Sequence, residues 1–143
     1  MQSKLRTESS VPSNYRATVV LADDHPAILN RVSSILREEF EIVSSVGDGK
    51  TLIEVTELFR PDVVVLDIAM PELNGIHAAR EIRRLGIPSR IIFLTVQEDA
   101  DYIQVATEIG ASYVLKARMH TDLLPAIREA LDGRLITPAA NHI

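Results

Sequence analysis

The sequence predicts an α/β fold in which one mostly parallel sheet is covered by helices on both faces. Short apolar runs rich in β-branched residues, suited to buried strands, recur along the chain. Segments whose apolar residues follow a helical period separate these runs. Because crossovers between parallel strands are right-handed, this fivefold alternation of strand and helix leaves few other arrangements.

Strands and helices can each be placed on the chain. The apolar runs predict five strands, at 18–21, 41–46, 63–66, 91–94 and 112–115. Helical spacing of apolar residues predicts five helices, within 28–36, 52–59, 76–82, 103–109 and 123–131.

The residues between these segments agree with the predicted boundaries. Pro26 suits the first turn of a helix, and Asp48 and Asn74 are favourable N-cap residues. Gly86 and Gly110 follow the last periodic residues of their helices, as C-terminal glycines do. These boundary residues therefore support the predicted alternation of strands and helices.

Composition limits the class of protein. The chain has 143 residues, of which 46% are apolar, so it suits one domain and is short for two. A net charge of -5 does not favour direct contact with nucleic acid. There is no cysteine, which excludes disulfides and thiolate chemistry. No apolar run approaches the ~20 residues that span a bilayer, and we expect a cytoplasmic protein without membrane contact.

Three segments are expected along the chain. Residues 1–16 are polar, lack periodicity and predict a flexible leader. Residues 17–131 carry all the predicted strands and helices and form the domain. Residues 132–143 form a tail.

Polar residues stand at the carboxyl ends of the predicted strands. They are Asp23, Asp24, Asp67, Thr95 and Lys116. Each alone has an ordinary explanation as a turn, cap or solvated residue. In an open parallel sheet, however, strand ends share one edge where ligands bind, so these residues are expected to converge.

Three clustered carboxylates repel one another unless a cation lies among them. Mg²⁺ fits oxygen ligands and keeps positions for phosphate oxygens, which predicts a metal site formed by Asp23, Asp24 and Asp67. A carboxylate in such a site can attack phosphorus as a nucleophile, and Asp67 is the candidate. Lys116 would counter the phosphoryl charge and Thr95 would donate its hydroxyl.

These residues resemble the receiver domain of two-component response regulators, CheY-like proteins. The resemblance covers about residues 17–131 and rests on VVLADDHP, VVVLDIAMPELNG, IIFLTV and GASYVLKA, in that order. It implies a flavodoxin-like (βα)₅ fold with strand order 2-1-3-4-5. It also implies phosphorylation of Asp67 by a sensor histidine kinase with Mg²⁺, one metal ligand being the backbone carbonyl of Ala69. Such a domain assists its own phosphorylation and dephosphorylation and is not a conventional enzyme.

The resemblance assigns a switch role to Thr95 and Tyr113. A half-buried strand aromatic with its hydroxyl in water explains Tyr113 equally well. Where such domains commonly have a cis proline after the lysine, this chain has Ala117, which leaves the peptide geometry open. Val96 is larger than the usual residue after the hydroxyl position and predicts narrower access to the phosphoryl group.

The tail, LDGRLITPAANHI, resembles the segment that joins receivers to helix-turn-helix domains in the LuxR-like, NarL-type branch. Because the twelve residues after Leu131 are too few for a helix-turn-helix, the chain is either a stand-alone receiver or the receiver part of a transcriptional regulator. The resemblance favours the second. DNA contact is then expected only through an output domain absent from this chain. The resemblance also allows a homodimer on phosphorylation.

The sequence leaves three alternative functions to consider: a P-loop nucleotide-binding enzyme, a phosphatase and a receiver-like interaction module. SSVGDGKT nearly matches a nucleotide-binding P-loop, but Ser44 replaces its first glycine, and Asp48 is expected to cap a helix. A phosphatase using a D-x-D motif lacks its second carboxylate, because Ala69 stands there. A receiver-like interaction module that is never phosphorylated is the third. The histidines show no metal-binding spacing, and His25 is expected only to open the first helix.

Overall fold

Five strands and five helices alternate along residues 15–138, the part of the chain that this computed structural model describes. The predicted alternation is confirmed. In chain order they are β1 Thr18–Ala22, α1 Pro26–Leu36, β2 Glu41–Val46, α2 Gly49–Phe59, β3 Val63–Leu66, α3 Gly75–Arg84, β4 Arg90–Thr95, α4 Ala100–Glu108, β5 Ala111–Leu115 and α5 Met119–Leu131. A 3₁₀ turn, Lys116–Arg118, joins β5 to α5.

The strands form one parallel sheet in the order β2-β1-β3-β4-β5. This is the order that the resemblance to receiver domains implies, and the expected (βα)₅ fold is confirmed. The central strand β3 is buried along its whole length. A buried central strand in a parallel sheet requires helices on both faces, which explains why its sequence is an unbroken apolar run.

Alternate side chains of the strands feed two separate cores. One core lies between the sheet and α2, α3 and α4, and contains Val64 and Phe93. The other lies between the sheet and α1 and α5, and contains Val65 and Leu94. Successive residues of one strand therefore pack on opposite faces of the sheet. The sheet is thus anchored between the two layers of helices.

The residues predicted to mark helix ends are confirmed, although each helix begins earlier than its apolar periodicity predicts. Asp48 and Asn74 are N-caps whose side chains accept backbone hydrogen bonds from Thr51 and His77. Pro26 is the first residue of α1. The glycines after α3 and α4, Gly86 and Gly110, have φ of 75° and 74°, a conformation that favours glycine.

The Asp48 cap gives a testable stability prediction. Asp48→Ala is expected to lower the free energy of unfolding by about 1 kcal/mol at neutral pH, because the first turn of α2 loses its acceptor. The backbone hydrogen bond from Thr51 holds the pKa of Asp48 below its ordinary value. The cap is therefore fully effective above that ordinary value and is lost as the pH falls through the lowered value. Urea unfolding of both proteins at neutral and acidic pH measures the difference.

The matched control is Asp48→Asn, which keeps an acceptor at the N-cap and should lose only a few tenths of a kcal/mol. The difference between the native protein and Asp48→Ala should shrink in acid. An equal difference at both pH values would contradict an electrostatic cap.

Both ends of the described region contact the domain. Arg16 donates to the backbone carbonyls of Arg37 and Phe40, and Tyr15 donates to the Asp62 carboxylate. The rest of the predicted leader and the tail beyond residue 138 lie outside the described residues. Within residues 15–138, no helix combines the length and apolar character needed to cross a membrane.

Candidate functional site

Strand pairing brings two of the predicted carboxylates together. Asp23 follows β1 and Asp67 follows β3, and the last residues of these strands, Ala22 and Leu66, are paired. The Asp67 N–H donates to the Ala22 carbonyl at 3.0 Å, which extends the pairing by one step. Each aspartate is 4% exposed. Two buried acids thus lie side by side at the carboxyl edge of the sheet.

Lys116 lies between these two acids. Its Nζ is 2.8 Å from Asp23 Oδ2 and 2.9 Å from Asp67 Oδ2, and its side chain is 9% exposed. Burial alone would lower the pKa of Lys116, but hydrogen bonds to Asp23 and Asp67 raise it above its ordinary value. The amine is therefore held as an ammonium ion, and one positive charge is shared by two carboxylates.

The Asp67 carboxylate is held at both oxygens. Oδ1 accepts the backbone N–H of Ile68 at 2.7 Å, and Oδ2 accepts Lys116. These donors fix the carboxylate plane while each oxygen keeps a lone pair for reaction. The loop that follows is held in turn, because the Gly75 N–H donates to the Ile68 carbonyl at 2.7 Å.

Thr95 lies at the same edge. It is the last residue of β4 and is buried, and the β4 residue two positions earlier, Phe93, pairs with Leu66 at the end of β3. Val96, the next residue, is 71% exposed. Its predicted effect on access remains a prediction.

Asp24 and His25 complete the acidic edge. The Asp24 side chain is 36% exposed, and His25 Nδ1 lies 3.0 Å from its Oδ1 and 3.1 Å from Asp23 Oδ1. The His25 backbone N–H also donates to Asp23 Oδ1 at 2.9 Å. Candidate ligand atoms of Asp23, Asp24, His25 and Asp67 lie within 4.8 Å of one another.

His25 therefore has a place at this site that the sequence did not assign to it. Its position directly after the Asp23-Asp24 pair was the available signal, but adjacency in sequence does not specify where a ring points. It also precedes α1 as its N-cap residue, as expected, without a capping hydrogen bond from its side chain.

Tyr113 differs from the half-exposed alternative considered for it. Its side chain is 1% exposed, and its hydroxyl donates to the backbone carbonyl of Gln97 at 2.6 Å. The alternative of a half-buried ring with its hydroxyl in water is wrong, because the loop after β4 supplies an acceptor within the protein. Burial also raises the pKa of Tyr113, which keeps the hydroxyl protonated as a donor.

Ala69, Asp48 and the peptide bond after Lys116 decide three further predictions. Ala69 is exposed and adds no carboxylate two residues after Asp67, so a D-x-D phosphatase is not favoured. Asp48 accepts the Thr51 N–H at 2.7 Å and so occupies the start of α2 where a P-loop would hold phosphate. No cis peptide bond occurs among residues 15–138, so the bond between Lys116 and Ala117 is trans.

A family comparison agrees with this geometry. Residues 19–128 match the family described as the response regulator receiver domain. The transcriptional regulatory protein PdtaR from Mycobacterium tuberculosis is 39% identical over 115 residues, which cover 79% of this chain and 56% of PdtaR. The nitrate/nitrite response regulator protein NarL from Escherichia coli is 30% identical over 127 residues, which cover 87% of this chain and 59% of NarL.

Solved structures give the same result. The signal receiver domain of the response regulator NarL from Mycobacterium tuberculosis has a TM-score of 0.79 and 27% sequence identity, covering 83% of this chain and 98% of that domain. The match to 56% and 59% of the two curated relatives means that this chain corresponds to little more than half of each.

Proposed function

Since this chain belongs to the response regulator receiver domain family of two-component systems, we propose that Asp67 is its phosphoacceptor and a sensor histidine kinase its phosphoryl donor. One observation carries this assignment. The ammonium of Lys116 contacts Asp67 and Asp23 together, at 2.9 Å and 2.8 Å, at the carboxyl edge of the sheet. The family is a signalling family and not a class of conventional enzymes.

The transfer step follows from the contacts of Asp67. One carboxylate oxygen of Asp67 attacks the phosphorus of a phosphohistidine, so an O–P bond forms and the P–N bond breaks. The electron pair of the broken bond stays on the histidine nitrogen. Charge that develops on the phosphoryl oxygens is met by Lys116, already charged and in place, and by the hydroxyl of Thr95.

The return step is hydrolysis. A water molecule attacks the phosphorus of the acyl phosphate, the O–P bond to Asp67 breaks, and inorganic phosphate leaves. The carboxylate is restored and can again accept Lys116 and the Ile68 N–H. The exposed, apolar Ala69 supplies no acid or base to speed this step, so we expect no fast hydrolysis.

The donor set suits Mg²⁺. Asp23, Asp24 and Asp67 present carboxylate oxygens within 4.8 Å of one another, and hard cations prefer such ligands. A partly exposed Asp24 beside two buried acids leaves the site open on one side, as a cation that keeps water and phosphate ligands requires. The backbone carbonyl of Ala69 is proposed as a further ligand. When bound, Mg²⁺ would neutralise the phosphoryl oxygens and lower their repulsion from the carboxylates.

The switch role of Thr95 and Tyr113 is part of the proposal. Thr95 ends β4 at the edge of the sheet that carries Asp67, and the carbonyl of Gln97, two residues later, accepts the Tyr113 hydroxyl. A shift of Thr95 toward the phosphoryl group would therefore move the loop that holds Gln97 and change its hydrogen bond with Tyr113. The output surface is then formed by α4, β5 and α5.

The wider organisation is proposed from the relatives. Residues 17–131 would form the receiver domain, 1–16 a leader and 132–143 a linker to an output domain. PdtaR is named as a transcriptional regulatory protein, and DNA contact would occur only through such an output domain. A homodimer formed on phosphorylation completes the proposal.

Intact mass spectrometry tests the phosphoacceptor. After incubation with Mg²⁺ and acetyl phosphate, the native chain should gain the mass of one phosphoryl group, and chelation of the metal should abolish the gain. Asp67→Asn should gain nothing, whereas Asp101→Asn, a change of an exposed carboxylate on α4, should behave as the native chain does.

Equal labelling of Asp67→Asn and the native chain would overturn the assignment of Asp67. If neither chain is labelled by acetyl phosphate or by phosphoramidate, the receiver-like interaction module is the better description. The position of Lys116 between the buried Asp23 and Asp67 makes that outcome the less favoured one.

A further inference from the structure

The chain reverses direction directly after α5. Gly133 has a φ of 88°, its N–H donates to the Ala130 carbonyl at 2.9 Å, and the next N–H, of Arg134, donates to the Glu129 carbonyl at 2.8 Å. This pair of hydrogen bonds is a glycine-based helix stop that sets the direction of the following residues. The side chain of Arg134 also pairs with Glu129. These contacts therefore fix the direction in which the segment after α5 leaves the helix.

Residues 134–138, here called the docked tail, lie against the edge strand β5. The Tyr113 N–H donates to the Ile136 carbonyl at 2.8 Å, and the Ile136 N–H donates to Ser112 Oγ at 3.1 Å. The Ile136 side chain packs against the core on the α1 and α5 face, and Pro138 is buried. An edge strand with open backbone groups is prone to pair with other chains, and the docked tail covers this one.

One residue joins the docked tail to the loop beside the phosphoacceptor. The Tyr113 backbone holds Ile136, and the Tyr113 hydroxyl holds the Gln97 carbonyl at 2.6 Å. Gln97 is two residues from Thr95. A chain of direct contacts thus runs from the carboxyl end of β4 through a buried aromatic to the tail.

Tyr113, the docked tail and the start of α5 also line a cavity of about 180 Å³, together with Val114, Leu115 and Arg118. The cavity leaves space beside the tail at this junction. Within residues 134–138, the tail makes one backbone hydrogen bond and one side-chain hydrogen bond to β5, beside the packing of Ile136. A contact of this size can open locally at a cost below that of global unfolding.

We propose that the docked tail reads the state of the phosphoacceptor: phosphorylation of Asp67 strengthens docking of residues 134–138 on β5, through Gln97 and Tyr113. This inference rests on the phosphorylation proposed above. Tyr113 contacts both Gln97 and the docked tail in this structure, and a phosphoryl group that orders the loop from Thr95 to Gln97 would reinforce both contacts. Linkage requires the reverse as well: the docked tail strengthens binding of a phosphoryl group by the same factor.

Amide hydrogen exchange on the full 143-residue chain tests this coupling. With Mg²⁺ and beryllofluoride, a mimic of the phosphoryl group, exchange of the Ile136 N–H should slow by about fivefold or more, the range of an ordinary allosteric coupling. Tyr113→Phe removes the bond to Gln97 and should abolish the slowing. Leu135→Ala, a change of a tail side chain that is 41% exposed, should leave the slowing intact.

A second measurement tests the reverse direction. Ser112→Ala removes the acceptor of the Ile136 N–H and should weaken docking of the tail. By linkage, the affinity of this variant for beryllofluoride should fall below that of the native chain. Unchanged exchange at Ile136 in a chain that gains one phosphoryl group by mass would overturn this inference alone. Absence of any mass gain would instead overturn the proposed function, and this inference with it.

Discussion

Lys116→Ala is expected to slow phosphoryl transfer from acetyl phosphate to Asp67 by about 100-fold or more. The ammonium of Lys116 lies 2.9 Å from Asp67 Oδ2, and it is in position before any donor arrives. Removal of one preorganised group that stabilises developing charge typically costs about 10²–10³ in rate. The rate of mass gain at a fixed acetyl phosphate concentration measures the effect.

The same substitution should also destabilise the metal-free protein. Asp23 and Asp67 would remain buried with no cation between them, and breaking a buried ion pair in this way costs about 3–5 kcal/mol. Urea unfolding in chelator measures this loss. Saturating Mg²⁺ should restore part of it, because a ligand that binds only the folded state stabilises that state.

Two further variants make the interpretation specific. Lys116→Arg keeps the charge and should retain more stability than alanine while remaining slow in transfer, because its planar group has a different shape. Arg118→Ala, which removes an exposed pair with Asp122, should change neither quantity appreciably. Transfer at the native rate in Lys116→Ala would contradict the role given to the lysine.

Gly75→Ala is expected to destabilise the fold by about 3 kcal/mol, at the upper end of overpacking costs. A Cβ at this position would lie 2.0 Å from the Asp67 carbonyl oxygen and 2.9 Å from Ile68 Cα. Both are backbone atoms, so no flexible side chain can move aside, and α3 must shift away from β3. Urea unfolding of the two proteins measures the loss.

The substitution should also reduce phosphorylation, because the displaced backbone belongs to Asp67 and to the residue whose N–H binds its carboxylate. Gly47→Ala is the matched control near the same edge. Its Cβ would lie 3.9 Å from the Asp23 carbonyl oxygen, an ordinary contact, and we expect a change within about 0.5 kcal/mol. Equal stability of Gly75→Ala and Gly47→Ala would contradict the prediction, because it would show that the loop after β3 can move at little cost in free energy.

Much of the fold was predictable because its signals are local. A short, mostly β-branched run such as VVVL indicates a strand buried on both faces. Asp48 and Asn74 cap the helices that follow them through their own side chains. Strand order is not local. It depends on which crossover lies on which face, and here it came from resemblance to a family.

The site was predictable to the extent that strand ends determine it. Asp23, Asp67 and Lys116 each follow a strand directly, so the sheet itself brings them together. Burial of Tyr113 could not be predicted, because its acceptor, the Gln97 carbonyl, lies on a loop with no pattern of its own. The ring position of His25 was beyond prediction for a similar reason, since it depends on a side-chain rotation.

The tail has a practical consequence for protein engineering. Chimaeras that fuse this receiver to a foreign module should place the junction after Pro138 and not at the end of α5. A junction at Leu131 would leave the Tyr113 N–H and the Ser112 hydroxyl without their partners in residues 134–138. It would also uncover β5 as an open edge, so grafts cut short should be more prone to self-association than grafts that retain the segment.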